Sequence, residues 1–285
     1  MWSSTAATMI QCMASPVPVR VDPDVPFRTQ FGFGRIVCAV NDCRCSQEAV
    51  HQATQLLGSG DTLSFIAVAD AHGVSPAGHA TLDGARAAEA VETARAAAHA
   101  DGVEASTTVV HQQDINGAIL DATHEAGLLV VGAHGHWRIA QTAPVPALVA
   151  RSRPELPFPG VVLVGTRGAE DRHAAVVAAN IVSAHDSRVV LAHAGRTDST
   201  LRQALAEQAA DVLEITGKDP VVVSVDGPPL DRLLGMASSI GASLVVLGSH
   251  GRRGPRALAS LSDCVAQHAT CSVLVLSENY RPLAG

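Results

Sequence analysis

The chain repeats itself, and this repeat limits the folds open to it more than any other feature. IVCAVNDCRCSQEAV at 36–50 has a counterpart in VLVGTRGAEDRHAAV at 162–176, and each is an aliphatic segment, a polar turn and the start of a helix-like segment. LLVVGAHG at 128–135 returns as LVVLGSHG at 244–251. Because both patterns return after about 120 residues, the sequence predicts two versions of one α/β unit.

Composition fits two such domains and argues against several classes of function. The 285 residues are enough for two hydrophobic cores, and 47% hydrophobic but only 3% aromatic residues mean cores of Val, Leu, Ile and Ala. Those residues are typical of parallel sheets covered by helices on both faces. The net charge of −7 provides no basic surface, so no nucleic-acid partner is expected.

The sequence predicts neither a membrane segment nor export. No apolar run reaches the ~20 residues that a membrane helix needs, so no membrane partner is expected. The N-terminus lacks the basic stretch followed by an apolar stretch that marks a secretory signal. The six cysteines do not have the spacing of a disulfide scaffold, and we therefore expect a cytoplasmic protein with reduced thiols.

Strand-like and helix-like segments alternate through both halves, which predicts parallel sheets joined by right-handed crossovers. We assign residues 1–32 to a disordered N-terminal extension, 33–150 to a first domain, 151–160 to a linker with three prolines and 161–280 to a second domain. Predicted strands are 35–40, 62–69, 106–111 and 128–133, then 161–165, 187–194, 220–225, 243–249 and 271–276. Predicted helices are 46–57, 82–100 and 115–127, then 170–184, 199–217, 229–241 and 257–268, with Ser46 as the N-cap of the first.

The two halves differ after their fourth strands. The second half has room for a glycine loop and a helix between Gly251 and its last strand, whereas only six residues separate Gly135 from TAPVPALVA at 142–150. Either the last helix of the first domain is missing and a fifth strand follows, or VPALVARS forms a short helix begun at Pro146 and no fifth strand follows. We favour the first alternative. The expected fold is therefore α/β, with two tandem doubly wound five-stranded parallel-sheet domains, Rossmann-like, the first lacking its last helix.

The arrangement resembles that of a tandem universal stress protein over roughly residues 33–280. The resemblance rests on GSHG at 248–251, the helix ASLSDCVAQHA at 259–269 and the strand TCSVLVL at 270–276. It implies an adenine nucleotide alpha hydrolase-like fold and two-fold pairing of like domains. In tandem members the two halves of one chain usually pair with each other, and pairing between two chains as a homodimer is the alternative.

The resemblance also implies an adenine-nucleotide site, with ATP as the first candidate, in the second domain. In members that bind ATP, a Gly-x2-Gly-x9-Gly-Ser/Thr segment follows the fourth strand, because glycines let the backbone approach phosphates and helix N-terminal amides bind the charge. Counting back from His268 aligns Ala259 and Ser260 with the final Gly-Ser/Thr pair of this pattern. The spacer before that pair therefore has seven residues instead of nine, and alanine replaces the last glycine. The candidate contacts are Gly248, Ser249, Gly251, Arg252, Arg253, Ser260 and Leu261. The loop arginines either add phosphate contacts or belong to an ordinary exposed loop.

The first domain departs further from the ATP-binding pattern. Gly132 and Gly135 are present, but no Gly-Ser pair follows them. ATP-binding members carry an Asp near the adenosine at the end of the first strand, and the aligned residues here are Asn41 and Arg167. Arg167 inverts the charge of that Asp. We therefore expect the first domain not to bind nucleotide and the second to hold a weakened site.

Cysteine and histidine constellations give weaker signals. Cys43-Arg44-Cys45 could bind a soft metal or respond to oxidants, but without a second cysteine pair a closed zinc site has no support. His134 and His250 occupy matched loop positions, and each lacks a carboxylate at ligand spacing, so a packing role is favoured. There is no Gly-x-Ser-x-Gly elbow, complete Walker loop or Gly-x-Gly-x-x-Gly motif, so we assign no catalytic residue and no metal ligand.

Two functions follow from these observations. The first is a binding and regulatory module of the stress response that holds ATP or another adenine nucleotide in its second domain, with no metal beyond Mg²⁺ carried by the nucleotide. The second is a nucleotide-free interaction or dimerisation scaffold of the same family, favoured by the short spacer, Ala259, Asn41 and Arg167. Slow ATP hydrolysis is a third hypothesis, for which no general base is evident.

Overall fold

The computed structural model describes residues 32–70, 82–133, 139–248 and 260–276, whose strands form one continuous ten-stranded sheet. The first half contributes β1 (Arg35–Ala39), β2 (Thr62–Ala69), β3 (Ala105–His111), β4 (Leu128–Gly132) and β5 (Ala147–Ala150). The second half contributes β6 (Val161–Gly165), β7 (Arg188–Ala194), β8 (Val221–Val225), β9 (Ala242–Gly248) and β10 (Ser272–Leu276). The strand order is β3-β2-β1-β4-β5-β10-β9-β6-β7-β8.

Helices cover both faces of this sheet, so most of its strands are buried on both sides. One face carries α1 (Arg44–Gln55), α2 (Gly84–Ala100), α5 (Arg172–Ser183) and α6 (Ser199–Thr216). The other carries α3 (Ile115–Asp121), α4 (Ile139–Thr142), α7 (Pro229–Ser239) and α8 (Leu261–His268). Side chains alternate between the two cores: Ile36 and Cys38 face the first, and Val37 faces the second. None of the helices in the described ranges is long and apolar enough to span a bilayer.

The two halves meet strand to strand in the middle of the sheet. Within each half the strands are parallel, which confirms the predicted doubly wound architecture. The central pair is antiparallel, with Leu274 opposite Leu148. The last strand of the second half therefore pairs with the last strand of the first half within one chain.

Buried polar side chains tie the same junction together. Ser272, at the start of β10, donates its hydroxyl hydrogen to Gln52 Oε1 of α1 at 2.7 Å. Gln52 Nε2 donates to the carbonyl oxygen of Arg151 at 3.1 Å, and the Arg151 guanidinium donates to the carbonyl of Ala266 in α8. Both Gln52 and Ser272 are fully buried. Arg151, the first residue of the predicted linker, therefore contacts both halves.

The end of the first half confirms the favoured alternative, in which the last helix is lost and a fifth strand follows. A fifth strand is present as β5, and the helix before it is reduced to the four residues of α4. Pro144 and Pro146 follow this turn directly, and proline cannot continue a helix because it lacks the amide hydrogen and clashes with the preceding turn. The alternative of a helix begun at Pro146 is wrong.

Several helix ends differ from their predicted positions, and hydrogen bonds or caps explain two of these differences. Helix α1 begins at Arg44 with Cys43 as its N-cap, so the prediction of Ser46 as N-cap is wrong. Helix α3 ends at Asp121, earlier than predicted. Thr123 donates its hydroxyl hydrogen back to the carbonyl of Leu120 at 2.6 Å, and side chains that bond to nearby carbonyls in this way compete with helix continuation. The predicted N-terminal extension, residues 1–32, lies outside the described residues apart from Gly32. The domain boundaries stay predictions.

Candidate functional site

The candidate site lies at the carboxyl edge of the second half, where the strand order reverses between β6 and β9. Open α/β sheets bind ligands at such points, because the two connecting segments leave in opposite directions and open a crevice. Gly165 ends β6 and is paired with Leu247, and Gly248 ends β9 beside Leu276 of β10. A Cβ at position 165 would lie 2.5 Å from Leu247 Cδ2, so any larger residue there would require the Leu247 side chain to move. Of the predicted loop, Ser249, Gly251, Arg252 and Arg253 lie outside the described residues, as does His250.

The N-terminus of α8 is the other described part of the predicted loop. Ser260 is its N-cap: the Ser260 hydroxyl accepts from the Asp263 amide at 3.2 Å, and the Ser260 amide donates to Asp263 Oδ2 at 3.1 Å. This capping box places a carboxylate at the helix N-terminus, which already offsets the positive end of the helix dipole. The amides of Leu261 and Ser262 are the remaining first-turn donors for an anion. Asp263 was not predicted from the sequence, although the Ser-x-x-Asp spacing signals a capping box.

A buried polar network supports the turn after β6. Thr166, only 3% exposed, follows Gly165, and its carbonyl oxygen contacts His193 Nδ1 of β7 at 2.9 Å. Gln208 of α6 reaches the same turn, because its Nε2 donates to Thr166 Oγ1 at 3.1 Å and to the carbonyl of Gly168 at 2.8 Å. Strands β6 and β7 and helix α6 thus converge on residues 166–168.

This network leaves two buried acceptors without a partner among the described residues. They are His193 Nε2 and Gln208 Oε1, on side chains that are 8% and 1% exposed. A carbonyl oxygen only accepts, so His193 must carry a proton on Nδ1, and in the uncharged ring Nε2 is then an acceptor. A buried acceptor without a donor costs about 1–3 kcal/mol. Both atoms are shielded from solvent beside the turn at 166–168, so a ligand with N–H or O–H groups would have to displace part of this turn to pair with them.

Arg167, aligned with the Asp of ATP-binding relatives, is held by a residue that the sequence analysis did not single out. Asp171 accepts from the Arg167 amide at 2.8 Å and from its Nε at 3.3 Å. The Asp171 side chain is 1% exposed and that of Arg167 is 40% exposed. Burial raises the pKa of the Asp171 carboxyl, and the charge and hydrogen bonds of Arg167 oppose that rise. The inverted charge is thus compensated within the turn.

Replacing Arg167 with glutamine is expected to raise the pKa of Asp171 further, because the substitution removes the opposing charge while it keeps the backbone amide bond. A carboxyl whose pKa is higher in the folded than in the unfolded state binds its proton more tightly when folded. Its contribution to stability is then lost as pH rises through the raised pKa. Carbon NMR titration of the Asp171 carboxyl in the full chain measures the change. The exposed Arg202→Gln variant is the control, and an unchanged or lowered pKa in Arg167→Gln would contradict the assignment.

The equivalent edge of the first half is occupied by its own turn. Asn41, the first-half residue aligned with the Asp of ATP-binding members, accepts through Oδ1 from the Cys43 amide at 3.1 Å and from the Ser46 hydroxyl at 2.7 Å. Gly132 ends β4 beside this turn, and a Cβ there would lie 2.8 Å from Cys45 Sγ. His134 and Gly135 lie outside the described residues.

Cys43 and Cys45 form a disulfide, which corrects the expectation of reduced thiols for this pair. The short Cys-x-Cys spacing allows the bond because the turn brings the two Cα atoms to 5.3 Å, within the usual range for disulfides. Cys38, Cys264 and Cys271 are free thiols. Across the described part of the chain, no group of three or more His, Cys, Asp and Glu side chains could hold a metal ion.

Fold and crevice together define a protein built of two doubly wound α/β domains that share one sheet. The model of the universal stress protein family matches residues 32–151 and 167–277. This chain belongs to the universal stress protein family, as its repeat and its C-terminal strand indicated. No protein with a curated description matches the sequence.

Solved structures share this fold at low sequence identity. A universal stress protein from Archaeoglobus fulgidus DSM 4304 is similar over 85% of this chain and 96% of its own, with 15% identity and a TM-score of 0.68. The cytoplasmic domain of a prokaryotic cation chloride cotransporter is similar over 88% of this chain and 98% of its own, with 11% identity and a TM-score of 0.57. Proteins with different functions therefore share the fold, and function must be argued from the site.

Proposed function

We propose that this protein is a binding and regulatory module of the stress response whose second half binds ATP or another adenine nucleotide at the carboxyl edge of β6, β7 and β9. The observation that carries the proposal is the pair of buried acceptors, His193 Nε2 and Gln208 Oε1. The adenine amino group and the ribose hydroxyls can donate to such acceptors, whereas a fully ionised phosphate cannot. Among ligands with such donors, membership of this family favours an adenine nucleotide.

The phosphates would lie toward the end of β9 and the start of α8. Gly248, Ser249 and Gly251 would let the backbone approach them, and Arg252 and Arg253 would supply charge. From α8 the donors would be the Leu261 and Ser262 amides, since the Ser260 amide and the Asp263 amide are used in the capping box. Mg²⁺ would enter with the nucleotide to offset the Asp263 carboxylate, and no catalytic residue is assigned.

Isothermal titration of the full chain with Mg-ATP is expected to show one site per chain, and His193→Phe is expected to weaken binding about tenfold. Phenylalanine keeps an aromatic ring but removes both the Nε2 acceptor and the Nδ1 donor to the Thr166 carbonyl. Tenfold corresponds to about 1.4 kcal/mol, within the range of one lost hydrogen bond. The control is His173→Phe, an exposed position on α5. Circular dichroism and urea denaturation establish that both variants fold. Unchanged affinity in folded His193→Phe would contradict the proposed adenosine contact.

A nucleotide-free scaffold is the second candidate, and the capping box favours it. The Asp263 carboxylate lies where an approaching phosphate would be repelled, and the Ser260 hydroxyl is already engaged. Mass spectrometry of the supernatant from denatured protein separates the two candidates. About one adenine nucleotide per chain would support the binding module, whereas empty protein that also gives no heat with ATP, ADP or cyclic AMP would support the scaffold.

A further inference from the structure

The Cys43–Cys45 disulfide closes the turn between β1 and α1, at the carboxyl edge of the first half. Cys43 is the N-cap of α1, and Cys45 is the second residue of the helix. Both side chains are half-buried, so a thiol reagent in solution can reach the bond. The proposed nucleotide site in the second half does not involve this turn.

Hydrogen bonds that do not involve sulfur hold the turn in shape. Asn41 Oδ1 accepts from the Cys43 amide, and the Ser46 hydroxyl oxygen accepts from the Asn41 amide at 2.8 Å while its hydrogen returns to Asn41 Oδ1. Gly132 of β4 packs directly against Cys45. These contacts would keep the two thiols close after reduction, so that the bond can form again without a search through the chain.

The surroundings of the pair favour thiol–disulfide exchange. The attacking species in exchange is the thiolate, and the positive end of the helix dipole at a helix N-terminus stabilises a nearby thiolate. Cys38 and Cys271 differ in this respect, since both are buried and burial raises the pKa of each thiol. Cys264 is half-buried but lies within α8, away from the helix start.

We propose that Cys43 and Cys45 form a reversible redox site that exchanges with dithiol reductants and disulfide oxidants. In reduction, a dithiol thiolate attacks one sulfur, the Cys43–Cys45 bond breaks, and the other cysteine leaves as a thiolate that takes up a proton. The second thiol of the reductant then attacks the mixed disulfide and releases the first cysteine. The protein gains two electrons and two protons, and the reductant becomes a disulfide. Oxidised glutathione reverses the reaction and is reduced to two thiols.

Peptide mapping of the full chain tests this directly, because Arg44 lies between the two cysteines. Trypsin cleaves after Arg35, Arg44 and Arg86, which places Cys43 and Cys45 on peptides 36–44 and 45–86. Folded protein is first treated with oxidised glutathione, then blocked with N-ethylmaleimide and digested with trypsin in the absence of reductant. We expect the two peptides to remain joined by the Cys43–Cys45 disulfide. After treatment with dithiothreitol under native conditions, we expect them to separate with two additional modified cysteines per chain.

Cysteine-to-serine variants test which two cysteines form the redox-active pair. Cys43→Ser and Cys45→Ser are each expected to abolish the joined peptides, whereas Cys38→Ser and Cys264→Ser are expected to retain them. Fragmentation of the joined peptides distinguishes Cys43 from Cys38, which lies on the same peptide. Joined peptides that never form with oxidised glutathione, that join through Cys38, or that persist in excess dithiothreitol would each overturn the proposal.

Discussion

Replacement of Leu274 by alanine is expected to lower the free energy of unfolding by about 3 kcal/mol. Leu274 is the central residue of β10, is fully buried, and lies opposite Leu148 across the antiparallel junction of the two halves. Truncation removes the buried methyl groups and leaves a cavity at a place where strands on both sides prevent collapse. Urea denaturation of the full chain, followed by far-ultraviolet circular dichroism, measures the loss.

Leu213→Ala is the matched control for this experiment. Leu213 lies in α6 with 42% of its surface exposed, and the same truncation there is expected to cost less than about 1 kcal/mol. If the two variants lost the same stability, Leu274 would not lie at a packed junction and the pairing of β5 with β10 would be contradicted.

Gly127→Ala is expected to cost about 3 kcal/mol, through a clash between backbone atoms. Gly127 precedes β4, and a Cβ there would lie 1.8 Å from the carbonyl oxygen of Phe33. The Gly127 amide also donates to the carbonyl of Arg35 at 2.8 Å, which holds the two segments together. Because no rotation of a side chain relieves this contact, the segments before β1 and β4 must separate. The midpoint and slope of urea denaturation measure the effect.

Gly235→Ala is the control, and it is expected to change stability in the opposite direction. Gly235 lies in the interior of α7, and a Cβ there meets no atom within 4 Å. Alanine has a higher helix propensity than glycine, so this variant is expected to gain about 1 kcal/mol. A Gly127→Ala protein as stable as Gly235→Ala would contradict the close approach of Gly127 to Phe33.

The sheet could be predicted from the sequence because its strands are buried on both faces. Segments such as 128–131 and 273–276 are therefore continuous aliphatic runs, and helical segments with polar faces separate them. The repeat then predicted the two-domain α/β architecture and the family, and both are confirmed. The strand β5 was harder to predict because two prolines lie just before it, and they are also compatible with a helix begun at Pro146.

The site was less predictable because its contacts join residues far apart in the sequence. His193 and Gln208 reach Thr166 across 27 and 42 residues, and no local pattern marks them as partners. The position of Ser46 after a polar turn suggested a helix start, but its hydroxyl is used by Asn41 within the turn. The proposed nucleotide contacts at Gly248, Ser260 and Leu261 stay predictions.

The antiparallel pairing of β5 with β10 reverses the direction of the second half relative to the first. The carboxyl ends of β1 and β4 therefore point to one edge of the sheet, and those of β6 and β9 point to the opposite edge. Five residues of strand span about 16 Å. The cysteine turn and the crevice proposed to bind nucleotide consequently lie at opposite rims, so that a ligand at one rim would not touch a ligand at the other. An influence of one on the other would have to pass through the shared sheet, and substitutions at the two rims should act additively.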